Sequence, residues 1–369
     1  MEPQPQPRKP RIAVTLGDPS GIGPEVAAKL LSNPANVQRA DIVVLADKSE
    51  LDSAIADAGG AHIAISEGPA AAGPRGVQVL DDGTASDYHT TQGEVSKASG
   101  ARSLHQLNRA LHLAQAGEID ALVFAPLNKS SLKQAGMAEE DELRWLANQL
   151  QHPGRTSEIN IILSTTATAT AVPAPRAALD EPHVAARVTM AAVLETIELT
   201  HRLRWESGVA RPRLGVCALN PHGGEGGAFG RHEIDHIAPA VGLARARGID
   251  VQGPFPCDTI FLKRERFDAI VTMYHDQGQI AMKLLGFDGG VTVQGGLPIP
   301  VATPAHGTAF DIVGKNVASV TSMQNAFDVA VTMAERRLLK GIRGLGTDEE
   351  AAPLKSSAAS PVAVAEASQ

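Results

Sequence analysis

The sequence predicts an α/β fold with a largely parallel sheet that is divided into two lobes. One observation supports the fold class and a second supports the two lobes. Short apolar runs typical of strands alternate with helical patterns along most of the chain, as they do in parallel α/β proteins. The chain also has 369 residues, which is more than a single hydrophobic core usually supports. We therefore expect two α/β lobes.

The predicted elements alternate from the first strand to the last helix. A strand over residues 12 to 16 meets a glycine-rich turn, and Pro24 suits the first turn of a helix that reaches Leu31. Leu107 and Leu111 share one face of a later helix, which Gly117 ends. The other predicted strands cover residues 42 to 46, 121 to 125, 214 to 219 and 269 to 273, and the last predicted helix covers residues 322 to 339.

Composition excludes several classes of function. The net charge is −8 and aromatic residues make up only 3%, which argues against a protein that neutralises nucleic-acid phosphates or stacks bases. No apolar run is as long as a membrane span, and the N-terminus lacks the apolar core of a signal peptide. Only two cysteines occur, Cys217 and Cys257, as expected in a reducing compartment. We expect a cytoplasmic enzyme that binds neither nucleic acid nor a membrane.

Three segments depart from the alternation of strands and helices. Residues 1 to 10 are rich in proline and glutamine, and residues 346 to 369 are rich in alanine, serine and proline, so both segments are predicted to be disordered. The internal stretch from residue 164 to residue 187 is low-complexity Ala/Thr/Pro sequence with neither period over much of its length. We expect a flexible loop there.

A histidine follows each of two predicted strands. His275, with Asp276 beside it, comes after the strand that ends at residue 273, and His222 follows the earlier strand in a glycine-rich string. Ligands bind at the carboxyl ends of strands in open α/β sheets, and histidines with carboxylates are common ligands of divalent metals. A lone histidine is more often structural, but two at glycine-flanked strand ends, with Asp258 near by, favour one shared metal site.

Two lysines are candidates for contact with a substrate. Lys129 lies just past a predicted strand, where it could bind a carboxylate or assist proton transfer; a solvated loop lysine explains it equally well. Lys283 follows His275 on a segment of otherwise apolar residues. That setting favours substrate contact or acid–base work.

Two glycine-containing loops could approach a ligand. The loop from Gly17 to Gly23 joins a strand to a helix, where backbone N–H groups attract anions, but a purely structural tight turn is an equal alternative. In the string from His306 to Lys315, the glycine allows close backbone approach and Asp311 could accept a hydrogen bond from a ribose hydroxyl. A simple loop-to-helix turn is the alternative for this string.

Taken together, these strings resemble the 4-hydroxythreonine-4-phosphate dehydrogenase family over roughly residues 11 to 340. The resemblance implies the isocitrate/isopropylmalate dehydrogenase-like fold, with an active-site cleft between two α/β lobes that the partner subunit of a homodimer completes. It rests on several motifs in the right order: Gly17-Asp18-Pro19-Ser20-Gly21-Ile22-Gly23-Pro24-Glu25, Pro126-Leu127-Asn128-Lys129, Asn220-Pro221-His222, Tyr274-His275-Asp276-Gln277-Gly278 and His306-Gly307-Thr308-Ala309.

The resemblance also implies the chemistry. Family members bind a divalent metal, oxidise a secondary alcohol with NAD as a step of pyridoxine biosynthesis, and then decarboxylate the β-keto acid that results. The metal could be zinc, magnesium, manganese or cobalt. In this sequence Asp311 predicts NAD and not NADP, because a carboxylate there would repel a 2′-phosphate.

The implied site residues fall into four groups, and one metal ligand is expected from across the dimer. His183 is the only histidine available for the third metal position, and its spacing to the next helix is shorter than the family pattern. The groups are His222, His275 and His183 for the metal; Lys283, Asp258 and Asp276 for catalysis; His306, Gly307, Thr308 and Asp311 for NAD; and Lys129, Glu142, Arg144 and Thr292 for the substrate.

Two further departures from the family pattern concern the substrate. Glu142 and Leu143 stand where the family has a His-Thr pair that contacts substrate. Val301 stands where the family has an arginine for the substrate phosphate, and Thr292 is the polar position before it. Loss of a bidentate phosphate partner removes a large charge-assisted contact, and Arg144 is the one residue that could replace it. We therefore expect a substrate without a terminal phosphate.

These inferences combine into one prediction with two alternatives. Residues 11 to 130 with 296 to 345 are predicted to form the lobe with the NAD loop, and residues 131 to 295 the lobe with the metal site and the dimer interface. The predicted function is NAD- and metal-dependent oxidation of a small hydroxy acid. The first alternative is a dehydrogenase of cis-dihydrodiol dicarboxylates from aromatic degradation. The second is a non-catalytic metal- or ligand-binding relative, against which Lys283 and His275 argue.

Overall fold

Strands and helices alternate along the part of the chain that this computed structural model describes, which is residues 8–66, 76–162, 166–170, 185–342 and 345. The strands are β1 (Arg11–Thr15), β2 (Asp41–Leu45), β3 (Gln78–Val79), β4 (Ala121–Phe124), β5 (Ser157–Ile162), β6 (Thr166–Thr170), β7 (Arg213–Cys217), β8 (Asp250–Phe255), β9 (Ala269–Thr272), β10 (Gly290–Gly295) and β11 (Val301–Pro304). The helices are α1 (Gly23–Leu31), α2 (Pro34–Arg39), α3 (Lys48–Asp57), α4 (Lys97–Gln115), α5 (Lys129–Gln134), α6 (Glu142–Gln149), α7 (Met190–Glu206), α8 (Ala238–Ala246), α9 (Cys257–Ile260), α10 (His275–Gly286) and α11 (Thr321–Leu339).

All these strands belong to one sheet, in the order β3-β2-β1-β4-β11-β10-β5-β6-β9-β7-β8. Strands β3, β2, β1, β4 and β11 form one parallel block, and β6, β9, β7 and β8 form a second. Between the blocks, β10 and β5 pair antiparallel with each other and with their outer neighbours. The two blocks therefore run in opposite directions, and their carboxyl ends point to opposite edges of the sheet.

The predicted α/β fold with a largely parallel sheet is confirmed. The largest cluster of buried apolar side chains includes Val14 and Val44 from the first block, Ile159 and Val293 from the central strands, and Val271 from the second block. One continuous hydrophobic core is therefore shared by both blocks and by the central strands between them. The division into two lobes with the predicted boundaries stays a prediction.

The predicted flexible loop over residues 164 to 187 is wrong for Thr166–Thr170, which forms strand β6 between β5 and β9. Its alternating threonine and alanine has a period of two, and the β-branched threonine suits a strand. Residues 185–187 of that prediction are helical, and its residues 164–165 and 171–184, His183 among them, lie outside the described residues. So do residues 1–7 and 346–369; the neighbouring Arg8 pairs with Asp120, with Nη1 2.6 Å from Oδ2.

No helix within the described ranges is both long and apolar enough to cross a membrane.

Candidate active site

A single side chain joins the carboxyl ends of β9 and β7. The Gln277 Oε1 atom accepts a hydrogen bond from the Met273 backbone N–H at 2.8 Å, and its Nε2 atom donates to the Ala218 carbonyl oxygen at 3.1 Å. Met273 follows β9 and Ala218 follows β7. This amide therefore fixes, at neighbouring strand ends, the two segments that carry the predicted metal ligands His222 and His275.

The His222 segment is a turn in which five consecutive residues have left-handed backbone angles. His222 has φ 52° and Glu225 has φ 42°, and the other three residues are Gly223, Gly224 and Gly226. A non-glycine residue in this conformation costs about 1–2 kcal/mol. Surrounding contacts must hold such a turn in place, and strain of this kind is concentrated at functional sites.

Glu233 is the side chain that holds this turn. It is only 4% exposed, and its Oε1 atom accepts hydrogen bonds from the backbone N–H groups of Leu219 at 2.9 Å and Asn220 at 2.8 Å. Its Oε2 atom accepts a third bond, from Asn220 Nδ2, at 2.9 Å. Burial opposes the ionisation of Glu233, but these hydrogen bonds outweigh it, so the pKa of this carboxyl lies below its ordinary value.

Three of the predicted site residues lie on α10, and a fourth lies on the short helix α9. His275 begins α10, and its Nδ1 atom is 2.8 Å from Asp276 Oδ1. Lys283 lies two turns further along the same helix, and Asp258 lies on α9. Lys283, Asp276 and Asp258 are exposed to solvent, and His275 is partly exposed. The side chains that the sequence predicts for metal binding and catalysis are therefore accessible in the chain.

The predicted substrate residues of the first block form a charged group. Lys129 Nζ is 3.7 Å from Glu142 Oε2, and the Glu142 side chain is only 9% exposed. Arg144 pairs with Glu140 one helical turn away. Burial lowers the pKa of the Arg144 guanidinium, Arg187 lowers it further, and Glu158 opposes that change. Lys129 and Arg144 therefore both have carboxylate partners.

Between the two blocks, the central strands β5 and β10 present one apolar face and one polar face. The apolar face, with Ile159, Ile161, Val291 and Val293, belongs to the main core. On the other face the strand register places Asn160 opposite Thr292 and Glu158 opposite Gln294. Thr292 Oγ1 donates to Asn160 Oδ1 at 2.8 Å, so the predicted substrate residue Thr292 lies within this polar face.

Val301 lies at the position where a phosphate-binding arginine is expected from the sequence. Its side chain is fully buried, and it packs in a second core cluster with Leu143, Leu146 and Leu297. An apolar side chain in this place offers no partner to an anion.

Glu158 is the side chain that connects these groups electrostatically. It is partly accessible, and burial raises the pKa of its carboxyl above the ordinary value. Lys129 and His275 act against this rise, whereas Asp141 and Glu142 add to it. Glu158 therefore lies within electrostatic range of the charged group on α5 and α6 and also of the helix that begins with His275. Both sets of predicted residues therefore influence this one carboxyl on the polar face of the central strands.

The glycine loop after β1 packs against the cofactor loop predicted after β11. A Cβ atom at Gly21 would lie 2.6 Å from the Thr308 Cβ, and the Ile22 backbone N–H donates to the Thr308 carbonyl oxygen at 3.0 Å. A Cβ atom at Gly17 would lie 2.6 Å from the backbone carbonyl oxygens of residues 125 and 126. These contacts favour the structural reading of the glycine loop, because its glycines permit close packing of three loops.

The cofactor loop leaves one carboxylate facing solvent. Thr308 is 7% exposed, whereas His306, Gly307 and Asp311 are more accessible. His306 Nδ1 is 3.0 Å from the Gly307 carbonyl oxygen, and Lys315 Nζ donates to the Asp311 carbonyl oxygen at 2.7 Å. Lys315 is thus already engaged by the loop backbone.

Within the described part of one chain, no three His, Cys, Asp or Glu side chains are grouped so that they could hold a metal by themselves. His183 lies outside that part, so the predicted set of three histidines stays a prediction. Sequence reasoning missed Glu158, Gln294 and Glu233. Polar residues at alternate positions of an apolar strand were the available signal for Glu158 and Gln294, and Glu233 had none.

Comparison with known proteins identifies the family. The family described as pyridoxal phosphate biosynthetic protein PdxA matches residues 38–330. A putative 4-hydroxythreonine-4-phosphate dehydrogenase 2 of Pseudomonas aeruginosa is 46% identical over 350 residues, which cover 90% of this chain and 99% of that protein.

Two solved structures share the fold of this chain. The 4-hydroxythreonine-4-phosphate dehydrogenase of Klebsiella pneumoniae is 33% identical with a TM-score of 0.74, over 89% of this chain and 99% of that one. A terephthalate 1,2-cis-dihydrodiol dehydrogenase of Burkholderia xenovorans is 27% identical with a TM-score of 0.63, over 88% of this chain and 98% of that one. The predicted resemblance is confirmed, and the alternative of a non-catalytic relative is set aside: the chain belongs to the PdxA family, the 4-hydroxythreonine-4-phosphate dehydrogenases, which are oxidoreductases acting on CH–OH groups.

Proposed function

We propose that the chain is an NAD-dependent and divalent-metal-dependent dehydrogenase that oxidises the secondary alcohol of a small hydroxy acid, with decarboxylation of the product. The observation that carries this proposal is the Gln277 bridge, which holds the His222 and His275 segments at neighbouring strand ends. Two histidines so placed, in a member of a dehydrogenase family, are suited to a divalent metal beside the substrate.

The residues present fit such a metal. When His275 Nδ1 carries the proton, it donates to Asp276 Oδ1 at 2.8 Å, and Nε2 is left as an acceptor for a metal. His222 is exposed on a turn that Glu233 fixes. We assign His183 as the third ligand, with one of the three donated by the partner subunit. When bound, the metal would lower the pKa of the substrate hydroxyl and stabilise negative charge on oxygen.

The chain's own side chains then position the substrate and move its protons. We propose that Lys283 contacts the substrate from α10 and takes or returns a proton, and that Asp258 and Asp276 orient the polar groups around it. Lys129 would bind the substrate carboxylate, although in the free chain it lies 3.7 Å from Glu142. Substrate binding would therefore have to compete with this ion pair.

We propose NAD as the cofactor and the His306–Asp311 part of the loop as its site. Gly307 allows close backbone approach, the Thr308 carbonyl oxygen accepts a hydrogen bond from the Ile22 backbone N–H, and the exposed Asp311 carboxylate can accept hydrogen bonds from ribose hydroxyls. Lys315, a cation that could favour NADP, donates to the Asp311 carbonyl oxygen.

The proposed substrate carries no terminal phosphate. Val301 is fully buried, Arg144 pairs with Glu140, and Lys129 lies beside Glu142. A phosphate dianion in this place would meet the acidic side chains of Glu140 and Glu142, and loss of one charge-assisted partner costs about 1.5–3 kcal/mol.

The second candidate is oxidation of a cis-dihydrodiol dicarboxylate. It is favoured by the same lack of a phosphate arginine and by the similarity to the Burkholderia terephthalate dihydrodiol dehydrogenase. Such a substrate presents carboxylates and hydroxyls and needs no phosphate contact.

We also propose that the enzyme is a homodimer and that α10 lies in its interface. Ile280 is 60% exposed and Leu284 is 82% exposed, one turn apart on this helix, and Leu285 is 45% exposed. An apolar stripe that remains open to water is typical of a surface that another protein covers. The stripe lies on the helix that begins with His275, which would bring a partner subunit close to the metal site.

The deciding experiment is an NAD-reduction assay of the metal-loaded protein against four compounds. They are 4-hydroxythreonine, its 4-phosphate ester, and one dihydrodiol with and without carboxylates. Turnover of the unphosphorylated hydroxy acid supports the first proposal, and turnover of only the dihydrodiol dicarboxylate supports the second. Clear preference for the phosphate ester, lost in Arg144→Ala, would show that Arg144 binds the phosphate.

A further inference from the structure

The cofactor loop, His306–Lys315, is attached to helix α1 near its start and again just after its end. Near its start, the Thr308 carbonyl oxygen accepts a hydrogen bond from the backbone N–H of Ile22, the N-cap of α1, at 3.0 Å. Just after the loop, the Ala318 backbone N–H donates to Glu25 Oε1 at 2.9 Å. Ile22 and Glu25 are about one helical turn apart. One end of a single helix therefore holds both sides of the loop.

Lys29, one turn further along α1, completes the second attachment. Its Nζ atom donates to Glu25 Oε1 at 2.7 Å, to the Ala318 carbonyl oxygen at 2.9 Å and to the Asn316 carbonyl oxygen at 3.4 Å. These three acceptors match the three N–H donors of a lysine ammonium group. Asn316 has a left-handed φ of 55°, a conformation that needs contacts from outside the segment to hold it.

Burial distinguishes this ion pair from an ordinary surface pair. The side chains of Glu25 and Lys29 are 2% and 22% exposed. Lys48 and Asp52 form a pair with the same spacing on α3, but their side chains are 68% and 55% exposed. Exposed pairs contribute little, because water screens their charges. Charged hydrogen bonds in a mostly buried place are stronger, so we expect the Glu25–Lys29 pair to restrain the segment that follows the loop.

The part of the loop between these attachments faces solvent. Gly307, Asp311, Gly314 and Lys315 are exposed, whereas Thr308 and Ala318, at the two attachments, are buried. A loop that becomes ordered only when a ligand binds weakens the binding by the cost of its ordering. A loop that is already fixed in its binding conformation avoids that cost.

We propose that Glu25 and Lys29 are positioning residues for the cofactor: they fix the loop before NAD arrives and thereby raise the affinity for NAD. This inference rests on the proposed function, because the proposed function makes this loop the NAD site. It also gives the end of the Gly17–Glu25 motif a role of its own, since the glycines of that motif serve close packing.

The test substitution is Lys29→Met, which keeps the length of an unbranched side chain and removes its three donors. NAD binding is measured by calorimetry on the full-length protein, and KM and kcat by NAD reduction. We expect the Kd and the KM for NAD to rise roughly tenfold, as for the loss of one charged hydrogen bond. Neither kcat at saturating NAD nor the KM for the hydroxy acid should change.

Hydrogen exchange adds a measurement that needs no cofactor. In the protein without NAD, the backbone amides of residues 306–318 should exchange faster in Lys29→Met than in the wild type, and those of β9 should not. Lys48→Met is the matched control: it breaks a lysine–carboxylate pair with the same spacing on α3, and it should change neither NAD affinity nor exchange in the loop.

Glu25→Gln tests the other half of the pair. The amide oxygen can still accept the Ala318 N–H as a neutral group, but the charged bond to Lys29 is lost, so NAD should again bind more weakly. In the double variant Glu25→Gln/Lys29→Met the loss of affinity should be smaller than the product of the two single losses, because both substitutions break the same contact.

Wild-type affinity for NAD in Lys29→Met would overturn the proposal, whatever the exchange result. So would an equal loss of affinity for NAD and for the hydroxy acid, which general damage to the fold would explain. If the wild type binds no NAD, the proposed function fails, whereas faster exchange of residues 306–318 in Lys29→Met would still support the attachment of the loop by Glu25 and Lys29.

Discussion

Replacing Glu233 tests whether one buried carboxylate holds the His222 turn. Glu233 accepts three hydrogen bonds, at 2.9, 2.8 and 2.9 Å, and is 4% exposed. In Glu233→Gln the amide oxygen can keep the two backbone bonds as a neutral acceptor, but the amide nitrogen then faces the Asn220 nitrogen. One charged hydrogen bond is lost and a donor is left buried, so we expect a loss of about 2–3 kcal/mol in the free energy of unfolding.

The pH dependence of this loss identifies the carboxylate as its cause. The pKa of Glu233 is lowered in the folded state, so its contribution to stability is complete above the pKa of the unfolded chain and is lost as the pH falls through the lower folded value. Urea unfolding of the metal-free protein should therefore separate wild type and Glu233→Gln at pH 7. The difference should shrink below about pH 4.3, the ordinary glutamate pKa.

The same substitution should weaken metal binding, because the left-handed turn that carries His222 is released. Asp235→Asn is the control: Asp235 lies two residues away, is exposed, and pairs with Arg231. Its removal should change neither the urea midpoint nor the metal affinity. Wild-type stability in Glu233→Gln at pH 7, or a loss that does not vary with pH, would refute the reasoning.

Three further predictions concern the metal, the cofactor and the interface. His222→Ala and His275→Ala should each lower metal content and activity together, as measured by elemental analysis and NAD reduction; full metal content in both variants would contradict the assignment. Asp311→Asn should reduce the preference for NAD over NADP in kcat/KM, since it removes the charge that repels a 2′-phosphate; an unchanged ratio would place cofactor selection elsewhere. Leu284→Glu should convert the dimer to a monomer in light scattering, because it charges a leucine that is 82% exposed on α10; a stable dimer would move the interface to another surface.

Strands β1, β2, β4, β7 and β9 were predictable because their signal is local, whereas β3, β8 and β11 were not predicted. Each predicted strand is a short apolar run beside a glycine or a helical pattern, and the structure places strands at all of those runs. Strands β5 and β10 have no continuous apolar run; their signal is the alternation of polar and apolar residues, as in Glu158–Ile159–Asn160, which a search for apolar runs does not find. Strand β6 lies in low-complexity sequence whose composition gives no clear strand signal. Its pairing with β5 and β9 stabilises the extended conformation there.

The residue types of the site were predictable, whereas their arrangement was not. Histidines at strand ends and a lysine after β4 are visible in the sequence, and the structure adds that Lys129 lies beside Glu142. The position of Glu158 opposite Gln294 depends on the register of two strands that lie more than a hundred residues apart in the sequence. Glu233 likewise acts on a turn that precedes it by several residues. Such contacts follow from tertiary packing and not from local pattern.

The central claim is that this chain oxidises an unphosphorylated hydroxy acid with NAD and a divalent metal. The most direct measurement is the initial rate of NADH formation from 4-hydroxythreonine, before metal removal with a chelator, after removal, and after the metal is restored. The account predicts a rate that disappears with the metal, returns with it, and is lost in His275→Ala. NADH formation that is unaffected by the chelator, or found only with the phosphate ester, would contradict it.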